Sequence, residues 1–329
     1  MMPMPMPICR TRRALLTSSA ALAAVAAWPG FAAGEVAAAG LPVVRWGTFR
    51  NYQPVFIGIA AGFFKSAGVH VEMTGNFSSG PAIVQAAGLG QLDAGHAAIT
   101  GLANAAAQGV GVMGVADSQT EFGDAPLQQW FVLHAGPVKG MADLRGRRIA
   151  VNSLSGSFYY TTLLALRKHG IAKSEVHFVT LPHERQEQAL LAGLIDVAAL
   201  IDPYSVSMTA QAKLRRLFTG ADIIGERQFS LVFFRKKMVE EQADTVSRFL
   251  AGYRQAVAFL QSDTQRGNAI MARALGLKQS LMVSHRYTSN AQVRMRDVQF
   301  WLDVMRQDGG LRQAPGLRGD AFATDRFNP

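Results

Sequence analysis

A single cysteine, Cys9, occurs in 329 residues. It precedes an apolar stretch, so it is badly placed for a lipid anchor, and the rest of the chain can form neither a disulfide nor a thiolate metal site. Core packing must hold the fold without a covalent staple. Acidic residues are also scarce: 23 Asp and Glu stand against 33 Lys and Arg, a formal net charge of +10. Such an excess points first to nucleic acid, an anionic membrane surface or an acidic ligand. No run of five or more basic residues alternates with aromatics, however. The short clusters Arg145, Arg147, Arg148 and Arg215, Arg216 read as solvated surface, which argues against a nucleic-acid partner. HExxH, GxSxG, the Walker loop and the dinucleotide fingerprint are missing, and His183, Glu184 and Asp202 lack metal-ligand spacing. Neither catalysis, a cofactor nor a metal is expected. With 49% hydrophobic and 17% charged residues, the length suits a soluble monomer of two ordinary lobes.

The N-terminus has the order of an export signal. Arg10, Arg12 and Arg13 precede an apolar stretch from Ala14 to Trp28, and small residues follow through Ala32, Ala33, Ala37 and Ala39. The stretch is shorter than the ~20 residues of a spanning helix and runs into Pro29 and Gly30, so removal is expected rather than anchoring. Residues 1–33 are read as a signal peptide, with cleavage between 32 and 39. Thr11-Arg12-Arg13-Ala14-Leu15-Leu16 also fits a twin-arginine signal, with Leu15 where Phe is more usual. Cleavage after Ala32 would remove three arginines, lowering the net charge from +10 to +7.

From Leu41 onward, strand-like runs alternate with helical patterns, the grammar of an α/β protein. Val43–Trp46, Val69–Met73 and Ala97–Ile99 read as strands, with helices opening at Pro54 and Pro81. Further on, Arg148–Val151, Val176–Leu181 and Val197–Ile201 read as strands, with helices from Ser157 to His169 and from His183. Gly90 with Asp93 and Gly193 with Asp196 form an internal repeat: a glycine closes a helix, and an aspartate three residues later is expected to bond nearby backbone in the turn. One unit lies in each half, so two lobes of like architecture are expected, with a ligand between them. Phe131–Leu133 and Phe229–Phe234 are read as the two-strand hinge. Lobe 1 is then 41–132 and 233–309, lobe 2 is 133–232, and 310–329 is a loop-like tail. The stretch 239–300 is helical in pattern and expected to pack on lobe 1.

Phe63-Phe64, Gly80-Pro81, Gly88 to Asp93, Asp143 to Val151, Ser155-Gly156-Ser157, Gly193 to Asp196 and Asp202-Pro203-Tyr204 occur in that order. In this the chain resembles the periplasmic binding proteins for aliphatic sulfonates, taurine and nitrate, nearest to the sulfonate group, over residues 43–308. The resemblance implies a type II periplasmic-binding fold with two crossover strands. It also implies ligand capture by lobe closure, a periplasmic location, and delivery to an ABC permease in the inner membrane.

In open α/β sheets, ligands sit beyond the carboxyl ends of strands, where helix N-termini converge. In the first lobe that rule selects Arg50, Asn51, Tyr52, Ser79, Gly80, Thr100 and Gly101. In the second it selects Ser155, Gly156, Ser157 and Phe158, then His183 and Arg185, then Asp202 and Tyr204. Ser79-Gly80 and Ser155-Gly156-Ser157 would present amides and hydroxyls to an anion, or the serines merely cap their helices. Arg50 would pair with an oxyanion or lie on the surface; Tyr52, Phe158 and Tyr204 would wall the ligand's apolar part. Asp202 would accept from a ligand amine, pair with Arg185 or, as the preferred reading, cap the turn beside Pro203. Several acids facing the cleft would point instead to a cation or zwitterion.

Two rivals to a transport role stand beside it. The same fold resembles pyrimidine-precursor synthases of thiamine biosynthesis, whose cysteine-rich motif this chain lacks. A periplasmic sensor subunit would bind the same ligand and contact a receptor.

Overall fold

The computed structural model describes residues 40–209, 212–283 and 285–329; the expected export signal and Cys9 lie outside them. The chain builds two five-stranded sheets of the same plan. The first holds β1 (Val43–Thr48), β2 (His70–Asn76), β3 (Ala94–Ala98) and β4 (Val112–Glu121). The second holds β5 (Gln129–Leu133), β6 (Arg148–Val151), β7 (His177–Thr180), β8 (Val197–Leu200) and β9 (Leu214–Thr219). The last strand, β10 (Arg227–Arg235), returns to the first sheet. The spatial orders are β2-β1-β3-β10-β4 and β7-β6-β8-β5-β9. Within each sheet the first three strands are parallel, and the strand that has just crossed from the other lobe pairs antiparallel with the third.

Phe131–Leu133 and Phe229–Phe234 therefore each lie within one sheet, and the segments preceding them, 122–128 and 220–226, make the crossings. The boundaries expected at 132/133 and 232/233 fall inside β5 and β10. The two crossings run side by side. Glu121, ending β4, accepts from the Leu127 amide at 3.0 Å, and the Gly220 amide donates to the Gln128 carbonyl at 2.8 Å.

Helices follow the parallel strands: α1 (Pro54–Ala60), α2 (Phe63–Ser66), α3 (Gly80–Gly88) and α4 (Ile99–Ala107) in lobe 1. Lobe 2 carries α5 (Ser157–Lys168), α6 (His183–Leu191), α7 (Tyr204–Thr209) and α8 (Gly220–Ile224). After α9 (Lys236–Glu241), the helices α10 (Ala243–Ser262), α11 (Thr264–Leu275) and α12 (Met295–Gln307) return to lobe 1. The apolar stripe of α10, with Phe249, Leu250, Tyr253 and Val257, packs on Val44, Trp46, Val55 and Phe56, as helical periodicity demands. The tail 310–329 has little regular structure but is docked. Phe322 is fully buried, its carbonyl accepts from the Gly114 amide at 2.7 Å, and the Thr324 amide donates back to Gly114 at 2.9 Å. Burial of Phe322, not backbone periodicity, holds this segment. Among the described residues no helix is long and apolar enough to cross a membrane.

The internal repeat is a cross-strand clamp. Gly90 and Gly193 have φ of +74° and +69°, the left-handed region that L side chains rarely adopt. Asp93 accepts from Arg45 Nε at 2.9 Å and its amide at 3.0 Å, and Asp196 accepts from Arg148 Nε at 3.0 Å and its amide at 2.8 Å. Each arginine also donates to the carbonyl of the preceding glycine, Gly90 at 3.0 Å and Gly193 at 2.8 Å. The aspartates thus bond the neighbouring parallel strand rather than their own turn, because β1 and β6 place an arginine opposite each.

Candidate functional site

The carboxyl ends of the parallel strands in both sheets face one another, and three helices begin where they meet. α3, α5 and α6 start at Gly80, Ser157 and His183, and none has a side-chain cap at its N-terminus. Their first-turn amides have no intrahelical acceptor, and each helix dipole adds partial positive charge there. Between them lies a small chamber of about 30 Å³, lined by Phe49, Gly80, Pro81, Ala97, Ala98 and Gln119 of lobe 1, with Phe229 and Ser230 of β10. Lobe 2 contributes Asn152, Gly156, Ser157, Phe158, His183 and Ile201. Among the described residues no Lys, Arg, Asp or Glu lines it.

The polar lining is held in place. Gln128 donates to Ser157 Oγ at 2.7 Å and accepts from Thr161 at 3.0 Å, while Ser230 donates to the Ala97 carbonyl at 3.0 Å. His183 is 3% exposed, with Nδ1 3.1 Å from the Ala199 carbonyl oxygen of β8. Its ring meets Phe158 edge-on at 5.0 Å and stacks on Tyr204 at 5.9 Å. Burial lowers its pKa to about 4, so the ring is neutral at pH 7. Phe49 stacks on buried His96 at 4.6 Å, closing the lobe 1 side.

Three wider spaces adjoin the chamber or the crossings. An outer cavity of about 350 Å³ shares Phe49 and His183 with the chamber and adds Arg50, Phe77, Glu184, Tyr204 and Leu277. On the other side, a cleft of about 800 Å³ shares Asn152 with the chamber and is lined by Ser79, Ser155, Tyr159, Tyr160 and Lys173. A third cavity, of about 420 Å³, lies beside the crossings with Asp124, Gln129, Asp202, Arg216 and His285. The lobes touch around these spaces. Thr100 Oγ1 donates to the Ser155 carbonyl at 3.0 Å, Lys173 pairs with Asp308 at 3.4 Å, and His285 Nε2 stands 3.5 Å from Asp202 Oδ2. That last separation is ion-pair range rather than a full hydrogen bond. Burial raises the Asp202 carboxyl to about 6 and lowers His285 to about 3.

The family model described as "NMT1/THI5 like" matches residues 50–266, which carry most of both sheets and the chamber. The chain belongs to the NMT1/THI5-like family. A curated relative from Escherichia coli K12, named "Putative aliphatic sulfonates-binding protein", is 26% identical over 214 residues. That alignment covers 64% of this chain and 64% of the relative, so the chain spans under two thirds of the relative's length. The alkanesulfonate-binding protein SsuA from Xanthomonas axonopodis pv. citri, solved with MOPS, superposes with a TM-score of 0.75 at 18% identity, covering 87% of this chain and all (100%) of that one. The periplasmic nitrate-binding protein NrtA from Synechocystis PCC 6803 superposes with a TM-score of 0.71 at 11% identity, covering 88% of this chain and 87% of that one. The fold of this NMT1/THI5-like chain is that of periplasmic binding proteins.

Residues selected from the sequence scatter over this architecture. Gly80, Gly156, Ser157 and Phe158 line the chamber, and Arg50 and Tyr204 line the outer cavity. Ser79 and Ser155 face the wide cleft and leave their helices uncapped; Ser155 Oγ meets Ser153 Oγ at 3.0 Å. Arg50 also donates to the Leu275 carbonyl. Thr100 and Gly101 lie in the first turn of α4, because the strand ends at Ala98. There Thr100 bridges the lobes.

Asn51, Tyr52 and Arg185 depart from the roles expected, whereas Asp202 follows its preferred reading. Asn51 and Tyr52 are buried in lobe 1: Asn51 Oδ1 accepts from Gln53 at 2.6 Å, and the Tyr52 hydroxyl donates to the Leu281 carbonyl. Arg185 is exposed two residues after His183, a rotation that carries it away from the chamber. Asp202 faces the crossing cavity, where Ser205 Oγ donates to it, so it serves its turn and does not reach Arg185. Sequence reasoning missed Phe49, Gln119, Asn152, Ile201, Phe229 and Ser230. Phe49, Asn152 and Ile201 directly follow strands, a signal the carboxyl-end rule already contains; Gln119 and Ser230 carry no local signal.

Proposed function

We propose that this NMT1/THI5-like chain is the periplasmic solute-binding component of an ABC importer, and that it captures a small organic oxyanion of sulfonate shape between its lobes. The observation that carries this reading is the convergence of three uncapped helix N-termini on one small chamber that, among the described residues, no charged side chain lines. Unpaired amides at helix starts hold an anion without a metal or a counter-charged side chain. α3 comes from one lobe and α5 and α6 from the other, so a guest touching all three stabilises the closed arrangement by its differential affinity for it. Arg50 in the outer cavity adds positive charge at the mouth. The names of the relatives support binding over catalysis.

A melting screen of the purified protein against alkanesulfonates, taurine, nitrate and aromatic carboxylates tests the ligand class. A ligand that binds only the native state adds about 2.7 kcal/mol at 100 times Kd, a shift readily seen. Flat curves across the whole panel would reject these oxyanions as the ligand.

A further inference from the structure

The inference concerns the head of the ligand, and it rests on the anion reading above. A carbonyl oxygen only accepts hydrogen bonds, so the 3.1 Å contact between His183 Nδ1 and the Ala199 oxygen requires the proton on Nδ1. A neutral imidazole carries one N–H, which leaves Nε2 as a bare lone pair. That nitrogen is buried and has no hydrogen-bond partner among the described residues, while the ring lines both the chamber and the outer cavity. The chamber therefore offers donors at three helix starts and an acceptor at His183.

We propose that the ligand's buried head is an oxyanion that keeps one acidic hydrogen, such as a monoanionic phosphonate, and donates that hydrogen to His183 Nε2. Its remaining oxygens accept from the amides at Gly80, Ser157 and His183. A sulfonate has the same shape and charge but no hydrogen, and would set a charged oxygen against the lone pair. It would bind well only with proton uptake by a ring that burial keeps neutral near pH 7. The ring faces Phe158 and Tyr204, and the charged groups sharing the outer cavity with it are Glu184 and Arg50.

The experiment is calorimetry on the whole exported protein with three probes of similar size: ethylphosphonate, ethanesulfonate and propionamide. It is run at about pH 5, below the second ionisation of the phosphonate. Ethylphosphonate is expected to bind at least about tenfold more tightly than ethanesulfonate, since a site built to pair with a hydrogen penalises the analogue lacking it. His183→Phe is expected to bring the two within about twofold, by removing the acceptor that discriminates between them. Equal affinities, or a preference that survives in His183→Phe, would overturn the inference while leaving the oxyanion reading intact. Propionamide binding alone, lost in His183→Phe, would remove the anion and with it this head group. Ring 15N resonances of His183 give an answer without ligand: a proton on Nε2 overturns the assignment.

Discussion

The two lobes share a strand order and an arginine–aspartate clamp, yet the clamps are not equals. In lobe 1, Asp93 is only 8% exposed and holds two arginines, Arg45 at 2.8 Å and Arg235 at 2.6 Å. In lobe 2, Asp196 is 14% exposed and holds Arg148, itself 41% exposed, at 3.0 Å. The second arginine comes from β10, which enters the first sheet after crossing; its counterpart in the second sheet, β5, ends at Leu133 and supplies none. Lobe 1 also receives α10 to α12 and the docked tail. Like topology thus carries unlike clamps, and the difference comes from what the chain adds after its second crossing.

The largest expected effect is at Asp93. Burial alone would raise its carboxyl, but the bonds from Arg45 and Arg235 outweigh burial and hold it below the usual range. Asp93→Ala should cost about 2 kcal/mol in urea unfolding, in line with lost bonds to charged groups. Asp196→Ala should lose distinctly less, because Arg148 stays hydrated; equal losses would break the contrast between the lobes. For both aspartates the folded pKa is depressed, so their contribution is present above the unfolded value and disappears as pH falls through the folded one.

Glu121, where the lobes join, has the opposite sign. Burial raises it to about 8 against the backbone bonds from Gln128 and Leu127. A carboxyl whose folded pKa is raised contributes below the unfolded value, near 4.5, and that contribution is lost as pH climbs toward about 8. Glu121→Gln should therefore flatten the fall in melting temperature between those values. An unchanged profile would show that other groups set it.

Smaller again, Gly90→Ala and Gly193→Ala should each cost about 1 kcal/mol, since both need positive φ and neither Cβ would meet a neighbour. Matching costs would sharpen the view that the turn is the shared part of the clamp and Arg235 the unshared part. The smallest effect is expected for Arg50→Ala: affinity for the sulfonate-shaped ligand falls a few-fold, as for an exposed charge, with the melting temperature of the free protein unchanged. Unaltered affinity would remove Arg50 from the ligand's path.

Much of this was legible beforehand. Strand and helix starts were readable because Pro54, Pro81, Gly90 and Gly193 punctuate the chain locally, and Gly156-Ser157 and Gly80 announced two of the helix N-termini that meet at the chamber. Tyr52 and Arg185 were misjudged because the rule that selects loops by position says nothing of which way a side chain turns. In Tyr52 the hydroxyl is satisfied inside lobe 1, and in Arg185 helical rotation points the charge to solvent.

By itself the sequence determined the alternation of strands and helices, the paired Gly and Asp turns, and the excess of positive charge, because each depends on residues close together in the chain. The assembly of the chamber from these parts was decided by tertiary structure. Phe49, Gln119, Asn152, His183 and Ser230 come from separate elements of two lobes, and only the packing of both sheets leaves His183 with one nitrogen bonded and the other open. No local pattern encodes a hydrogen-bond partner that the fold withholds.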